Sequence, residues 1–395
     1  MGDPLSLTAS IIAVHGLSTK VITYLREVNH ASRSRKDFLD KVNVTKGTLS
    51  LIKDYLEDAS ENDVITEHIT LLQTGVDKYL ILLKKLEEDL SAASRLRKIG
   101  NAFKWPFEKA EALETLNNLE NFRTLFGAIQ DEEQHARAKK KEFRRVIDWL
   151  SPLNFRARQH EVSSKQQANT GQWLLNDPKF VAWKNAEGNR RLLWCYGVPG
   201  AGKTVLASSV IKHLASTFKA TNIAVLGIYC DYREHKEQSC IKYFASLLGQ
   251  LLHHQNTVPK RVKDAFEQHS HAQVDPTAAE YLHMITAQLS SLKRVFVVVD
   301  ALDECTEDNA TRHDLIEGIM ELPDKVSVMI TSRHISGIED YENALQLTIE
   351  AHEEDVRLYV QGRLKKEKKF ARQVDMDDDL QTQIVDGVVE KASGM

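Results

Sequence analysis

Along the first 150 residues, apolar positions recur every three or four places. Ile65, Ile69, Leu72, Val76, Leu80, Leu83 and Leu86 draw one stripe, and Leu113, Leu116, Leu119, Phe122, Phe126 and Ile129 draw a second. A period near 3.6 marks a helix with one face against a core. Ser60 and Asp63 have the spacing of a capping box at the start of the first stripe. Two more helices are expected within 5–28 and 35–57. Only Pro4 and Pro106 of the eight prolines fall in this half. An interior proline costs a helix about 3 kcal/mol, so their scarcity permits long helices. The expectation is an antiparallel, all-α helical bundle over 1–150.

The pattern changes after that. Residues 151–172 are polar and open on Ser151-Pro152, which reads as a linker. From 191 onward, short apolar runs at Leu192–Tyr196, Ile223–Tyr229, Val295–Val299, Val326–Ile330 and Leu345–Ile349 alternate with helical stretches such as Ser239–Leu252. Val295–Val299 shows no alternation, as expected of a strand covered on both faces. Strand–helix alternation with doubly buried strands predicts an α/β domain: a parallel sheet with helices on both faces.

Composition narrows the function. A chain of 395 residues suits two or three domains, and Lys+Arg 52 against Asp+Glu 56 leaves a formal charge of -4. That balance excludes a histone-like polycation. With no zinc or helix-turn-helix signature, no specific nucleic-acid partner is expected. The four cysteines (Cys195, Cys230, Cys240, Cys305) form no Cys-x-x-Cys pair, so neither a disulfide framework nor a zinc knuckle is predicted. Cys195 and Cys305 read as small buried apolar residues. With no leader evident, the chain reads as intracellular. Its apolar segment 5–28 is interrupted by His15, Lys20 and Arg26, too broken for a spanning helix. The basic run Arg137, Lys139, Lys140, Lys141, Arg144 and Arg145 is diluted by Glu132, Glu133 and Glu142 and reads as a solvated helix face.

Candidate chemistry lies in the second half. Gly197, Val198, Pro199, Gly200, Ala201, Gly202, Lys203 and Thr204 satisfy the G-x-x-x-x-G-K-[ST] pattern between a predicted strand and the apolar helix Val205–Leu214. Glycines let backbone N–H groups turn inward around a phosphate, and the helix N-terminus adds its dipole. Lys203 would reach the β- and γ-phosphates, and Thr204 would place its hydroxyl on Mg²⁺. The strand Val295–Val299 delivers Asp300 at its tip, the Walker-B arrangement for magnesium. Asp303 and Glu304 follow, placed to orient or deprotonate an attacking water. Arg333, after Val326–Ile330, is placed to meet a γ-phosphate. Gly197 through Val205 together with Arg333 form the candidate nucleotide site for ATP or ADP, Thr204 and Asp300 the metal site, and Asp303 and Glu304 the catalytic pair.

The stretches GVPGAGKT, DALDEC (Asp300–Cys305) and TSR (Thr331–Arg333), with Thr170–Leu175 upstream and Asp231-Tyr232-Arg233, resemble the NACHT class of signalling P-loop ATPases, particularly fungal NOD-like receptors. The segments Asp3–Ser6 and Ala9–Val14 are similar to the HeLo-like helical domain that heads such receptors. The resemblance implies a sensor strand between the P-loop and Walker-B strands, which brings Arg333 to the phosphates. It implies a helical bundle over 1–150, a linker over 151–172, a NACHT nucleotide domain over 173–350 and the start of a helical subdomain over 351–395, where the chain stops short of the family's winged-helix region. It also implies a switch with slow ATP hydrolysis: ADP exchanges for ATP, the protein forms a homo-oligomer, and the gathered N-terminal domains act on membranes or recruit a downstream effector in a cell-death response. The expected location is the cytoplasm, with membrane association on activation. A membrane-active effector acting through helix 5–28 and its small face (Ala9, Ile12, Ala13, Gly16) is the alternative; close packing of that face within the bundle is the plainer account. A P-loop kinase is a third reading, without an acceptor-site motif to support it.

Overall fold

The computed structural model describes residues 4–27, 33–58, 63–97, 109–150, 153–234, 238–305, 310–338, 341, 344–367 and 378–392. Two compact units emerge, Met1–Lys141 and Glu142–Met395.

The first unit is built from α1 (Pro4–Glu27), α2 (Arg33–Asp58), α3 (Asp63–Arg97) and the start of α4 (Lys109–Leu150), which continues into the second. Its core takes Leu7, Ile11, Val14, Val21 and Leu25 from α1, Phe38, Val42, Leu49 and Ile52 from α2, and Leu72, Val76, Leu83, Leu86 and Leu90 from α3. The predicted stripe is therefore the buried face from Leu72 onward, each such side chain contributing about 1.5–3 kcal/mol by leaving water. The side chains of Ile65, Ile69 and the whole second stripe, and Ser60, lie outside the described residues. A polar seam pins α1 to α3: the Gln73 amide donates to Ser10 Oγ (3.0 Å) and to Asp77 Oδ1 (2.9 Å). The small face of α1 is a correction. Among the described residues Ala9, Ile12, Ala13 and Gly16 are exposed, because Leu7, Ile11 and Val14 on the opposite arc already fill the core.

The second unit holds a five-stranded, all-parallel sheet in the order β2-β3-β4-β1-β5. The strands are β1 (Leu192–Tyr196), β2 (Ile223–Tyr229), β3 (Arg294–Asp300), β4 (Val326–Ser332) and β5 (Leu345–Thr348). Strand residues divide with a period of two between the faces. Leu192, Trp194, Val295, Val297, Val299, Val328 and Ile330 enter one core with α9 (Cys240–Gln255), α11 (Ala278–Leu289) and α12 (Thr311–Met320). Leu193, Cys195, Phe296, Val298 and Met329 enter the other, with α7 (Pro178–Asn185) and α8 (Lys203–Thr217). This is the predicted α/β fold, with helices on both faces.

Residues 151–172 differ from the expected linker. They carry α5 (Phe155–Lys165) and lead into α6 (Gln172–Asn176). Asn154 caps α5 by accepting the Ala157 N–H at 3.0 Å. Phe155 and Val162 are buried seven residues apart, one anchor per two turns, so the helix docks without a visible apolar stripe. The chain continues through α10 (Lys260–Ala272), α13 (Glu353–Lys366) and α14 (Asp378–Ala392). Arg137, Lys139, Lys140, Lys141, Arg144 and Arg145 are exposed on α4, as a solvated helix face should be.

Candidate functional site

The site forms where the C-terminal ends of β1, β3 and β4 lie side by side. Topology explains it: β4 sits between β1 and β3, so the loop after each strand opens onto the same edge. The loop after β1 turns through Gly200 (φ 87) and Gly202 (φ 89), both in the left-handed region that favours glycine. Gly202 caps α8, and a Cβ there would meet nothing within 4 Å, so the cradle is open. Gly197 is constrained instead: a Cβ would overlap the Ile349 carbonyl oxygen.

Lys203 folds its amine over the loop, donating to the Gly197 and Val198 carbonyls at 2.8 and 2.9 Å. Burial lowers its pKa from the ordinary lysine value, opposed chiefly by the Asp303 carboxylate. Asp300, at the end of β3, is almost fully buried. Thr331 Oγ1 of the neighbouring β4 donates to its Oδ1 at 2.6 Å and accepts the Ala301 N–H at 3.1 Å. Burial pushes Asp300 up to about 6, against hydrogen bonds from Thr331 and Thr204 that pull it down. Asp303 and Glu304 lie in a single 3-10 turn, Leu302–Glu304, entered through Ala301 at φ 55. Asp303 receives Arg333 twice, from its backbone N–H and from its guanidinium Nε, each at 3.0 Å. Glu304 Oε2 accepts the Tyr232 N–H at 3.2 Å. Lys203, Thr204, Asp300, Asp303, Glu304 and Arg333 are thus brought to one edge.

The donors suit magnesium. A threonine hydroxyl and a buried carboxylate are hard oxygen ligands, and two of them leave positions for water and phosphate oxygens. Among the described residues no group of three or more His, Cys, Asp or Glu forms a dedicated metal cage. The glycine turns and the free amides at the start of α8 fit a phosphate chain.

Sequence reasoning passed over several contributors. Thr331 was visible in the TSR stretch, yet its service to Asp300 depends on β3 and β4 being neighbours. On the other flank, the Gly171 N–H donates to both Asp355 carboxylate oxygens (3.1 and 2.9 Å), and the Trp173 ring stacks on His352 with centroids 4.2 Å apart. These contacts join the segment before the P-loop to the start of α13, separated by more than half of the second unit. Only the Trp173 segment carried a signal.

A parallel sheet of this order, a glycine turn leading into a helix and a buried acid two strands away define a P-loop NTPase. Residues 169–333 match the family described as Nephrocystin 3, N-terminal. Vegetative incompatibility protein HET-E-1 of Podospora anserina is 24% identical over 208 residues, which span 49% of this chain and 15% of that protein. With the motifs above, these matches support a NACHT-like protein. Solved structures similar to it include the Aeropyrum pernix ORC1 protein in complex with DNA (14% identity, 56% of this chain and 53% of that one, TM-score 0.33) and C. elegans PCH-2 (15%, 55% and 52%, TM-score 0.30). The chain thus spans a small part of its curated relative and about half of these structures.

Proposed function

We propose that the protein is a nucleotide-operated signalling switch that binds ATP or ADP with Mg²⁺, hydrolyses ATP slowly and forms a homo-oligomer in its ATP state. The observation that carries this reading is the gathering of six charged or hydroxyl side chains at one sheet edge around an open glycine cradle. In it, Gly197–Val205 bind the phosphates, Lys203 neutralises them, Thr204 and Asp300 hold magnesium and its water shell, and Glu304 with Asp303 activates water. Bound magnesium would supply charge neutralisation for the phosphates.

The ion pair between Arg333 and Asp303 suggests how the switch reads its nucleotide. Without a γ-phosphate, Arg333 rests on Asp303. A γ-phosphate competes for the guanidinium, freeing Asp303 and coupling the β4 end to the Walker-B turn. Nucleotide state biases the protein only through such differential contacts. A role in cell-death signalling, exerted through the helical first unit, belongs to this reading; a relative named for vegetative incompatibility is in keeping with a signalling role.

Denaturing the purified protein and identifying the released nucleotide by ion-exchange chromatography tests the reading. Stoichiometric ADP or ATP is expected. Lys203→Ala should weaken nucleotide binding about 10- to 100-fold, the worth of a charge-assisted hydrogen bond, without unfolding the chain. An empty wild-type site that added ATP and Mg²⁺ fail to fill would refute it.

The exposed arc of Ala9, Ile12, Ala13 and Gly16 favours a second reading, a membrane-active effector regulated by nucleotide. No described helix is long and apolar enough to cross a membrane, so action would begin at the interface. Leakage of anionic vesicles by the full chain with ATP supports it; intact vesicles at micromolar protein rule it out.

A further inference from the structure

Two cysteines that the nucleotide reading leaves unused lie against each other beside the acidic turn. Cys305 Sγ is 3.0 Å from Cys230 Sγ, although 75 residues separate them in sequence. A disulfide bond is about 2.05 Å, so closing it asks for roughly 1 Å of approach. Both thiols are buried and held by fixed backbone: Cys230 N–H donates to the Asp300 carbonyl at 3.0 Å, and Cys305 N–H to the Leu302 carbonyl at 3.1 Å. Gln238 and Tyr243 brace them. Gln238 Oε1 accepts the Asp231 N–H (2.9 Å) and the Tyr243 hydroxyl (2.7 Å), and that hydroxyl lies 3.5 Å from Cys305 Sγ.

We propose that Cys230 and Cys305 are a reversible disulfide site, and that the closed bond clamps the turn carrying Asp303 and Glu304 to the end of β2. Each sulfur is adjacent in sequence to a functional stretch. Cys305 follows Glu304, and Cys230 precedes Asp231-Tyr232-Arg233. Those stretches already touch through Glu304 and the Tyr232 N–H, so the covalent bond would make a yielding contact permanent. The oxidant is a small peroxide, since the burial of both thiols excludes bulky disulfides. Peroxide oxidises one sulfur to a sulfenic acid and releases one water. The second sulfur attacks the first, the S–O bond breaks, and a second water leaves. Two thiols and one hydrogen peroxide thus give one disulfide and two waters, with two electrons passing from sulfur to the O–O bond.

The test uses the full chain, reduced and then exposed to hydrogen peroxide. Free thiols are alkylated after denaturation and peptides are mapped without reductant. A Cys230–Cys305 linked peptide is expected, lost in Cys230→Ser and reversed by dithiothreitol; Cys230→Ala replaces the serine variant if that one misfolds. Amide exchange within 231–234 and 302–305 should slow at least about tenfold on oxidation, as expected when a local opening is suppressed. Full alkylation of both thiols at every dose, or a link to Cys240 instead, overturns the site. A link that leaves exchange unchanged overturns the clamp. The effect on turnover rests on the proposed hydrolysis: oxidation should cut the wild-type rate and leave Cys230→Ser unaffected. A reduced protein that never hydrolyses ATP would count against the nucleotide reading, while mapping and exchange still decide this one.

Discussion

Thr331 is fully buried and its hydroxyl is engaged twice, donating a hydrogen bond to Asp300 and accepting one from the Ala301 N–H. Thr331→Val keeps the shape and strands both partners. Leaving a buried polar group unpaired costs about 1–3 kcal/mol, and in a domain of this size each kcal/mol moves Tm by about 2–4 °C. Thermal unfolding of Thr331→Val should therefore fall several degrees below wild type, with Thr331→Ser close to normal. Loss of stability in both variants alike would mean that packing, not the hydroxyl, is what matters. Glu304 allows a cleaner separation of structure from chemistry. In Glu304→Gln the amide oxygen still accepts the Tyr232 N–H, so the turn is retained, but the proposed base is gone. Single-turnover ATP hydrolysis should slow by about 10²–10⁴ while ATP affinity holds; an unchanged rate would move the role to Asp303.

At the scale of elements, the glycines show which turns tolerate change. Gly197 ends β1 between β4 and the chain leaving β5: its N–H donates to the Ser332 carbonyl of β4 (3.1 Å), and the Ile349 N–H donates to the Tyr196 carbonyl (2.7 Å). A methyl group there meets backbone that cannot step aside. At Gly362 on α13 its nearest neighbours are atoms at the tip of the Gln167 side chain, which can rotate. Gly197→Ala should lower Tm and abolish nucleotide retention, and Gly362→Ala should stay within about 1 kcal/mol of wild type, a tolerated surface change; differential scanning fluorimetry distinguishes them. The same contrast marks what could be read in advance. The strands were legible because both faces are buried and the apolar runs are continuous, and the P-loop because its glycines must stand at fixed spacing. Helix α5 was hidden by having two anchors, Phe155 and Val162. The Cys230–Cys305 contact was invisible because only the pairing of β2 with β3 brings distant loops together.

Across the second unit, α13 is tied down at two points near its start. Asp355 grips the Gly171 amide, and Arg357 Nη1 donates to Asp386 Oδ1 of α14 at 2.6 Å. Gly171 sits at φ 79, so its amide is presented by a turn that few other residues would adopt. Asp355→Ala should raise amide exchange across 167–176 and 353–366 about tenfold, the mark of a low-energy local opening, and leave the strands unchanged. Faster exchange in the strands as well would mean that Asp355 supports the whole unit. The resemblance implies a helical subdomain in this place, but the residues that fasten it meet only through the fold, 184 positions apart in the case of Gly171 and Asp355.

Trp173 gives this fastening an optical signature. Its indole lies face to face with the His352 imidazole, the rings inclined by 23°, and indole emission responds strongly to whatever rests on its π-surface. Any excursion of α13 away from the P-loop region must part these rings before it disturbs a strand. The protein therefore carries its own fluorophore at the seam, able to report in real time, without a label, when that seam opens.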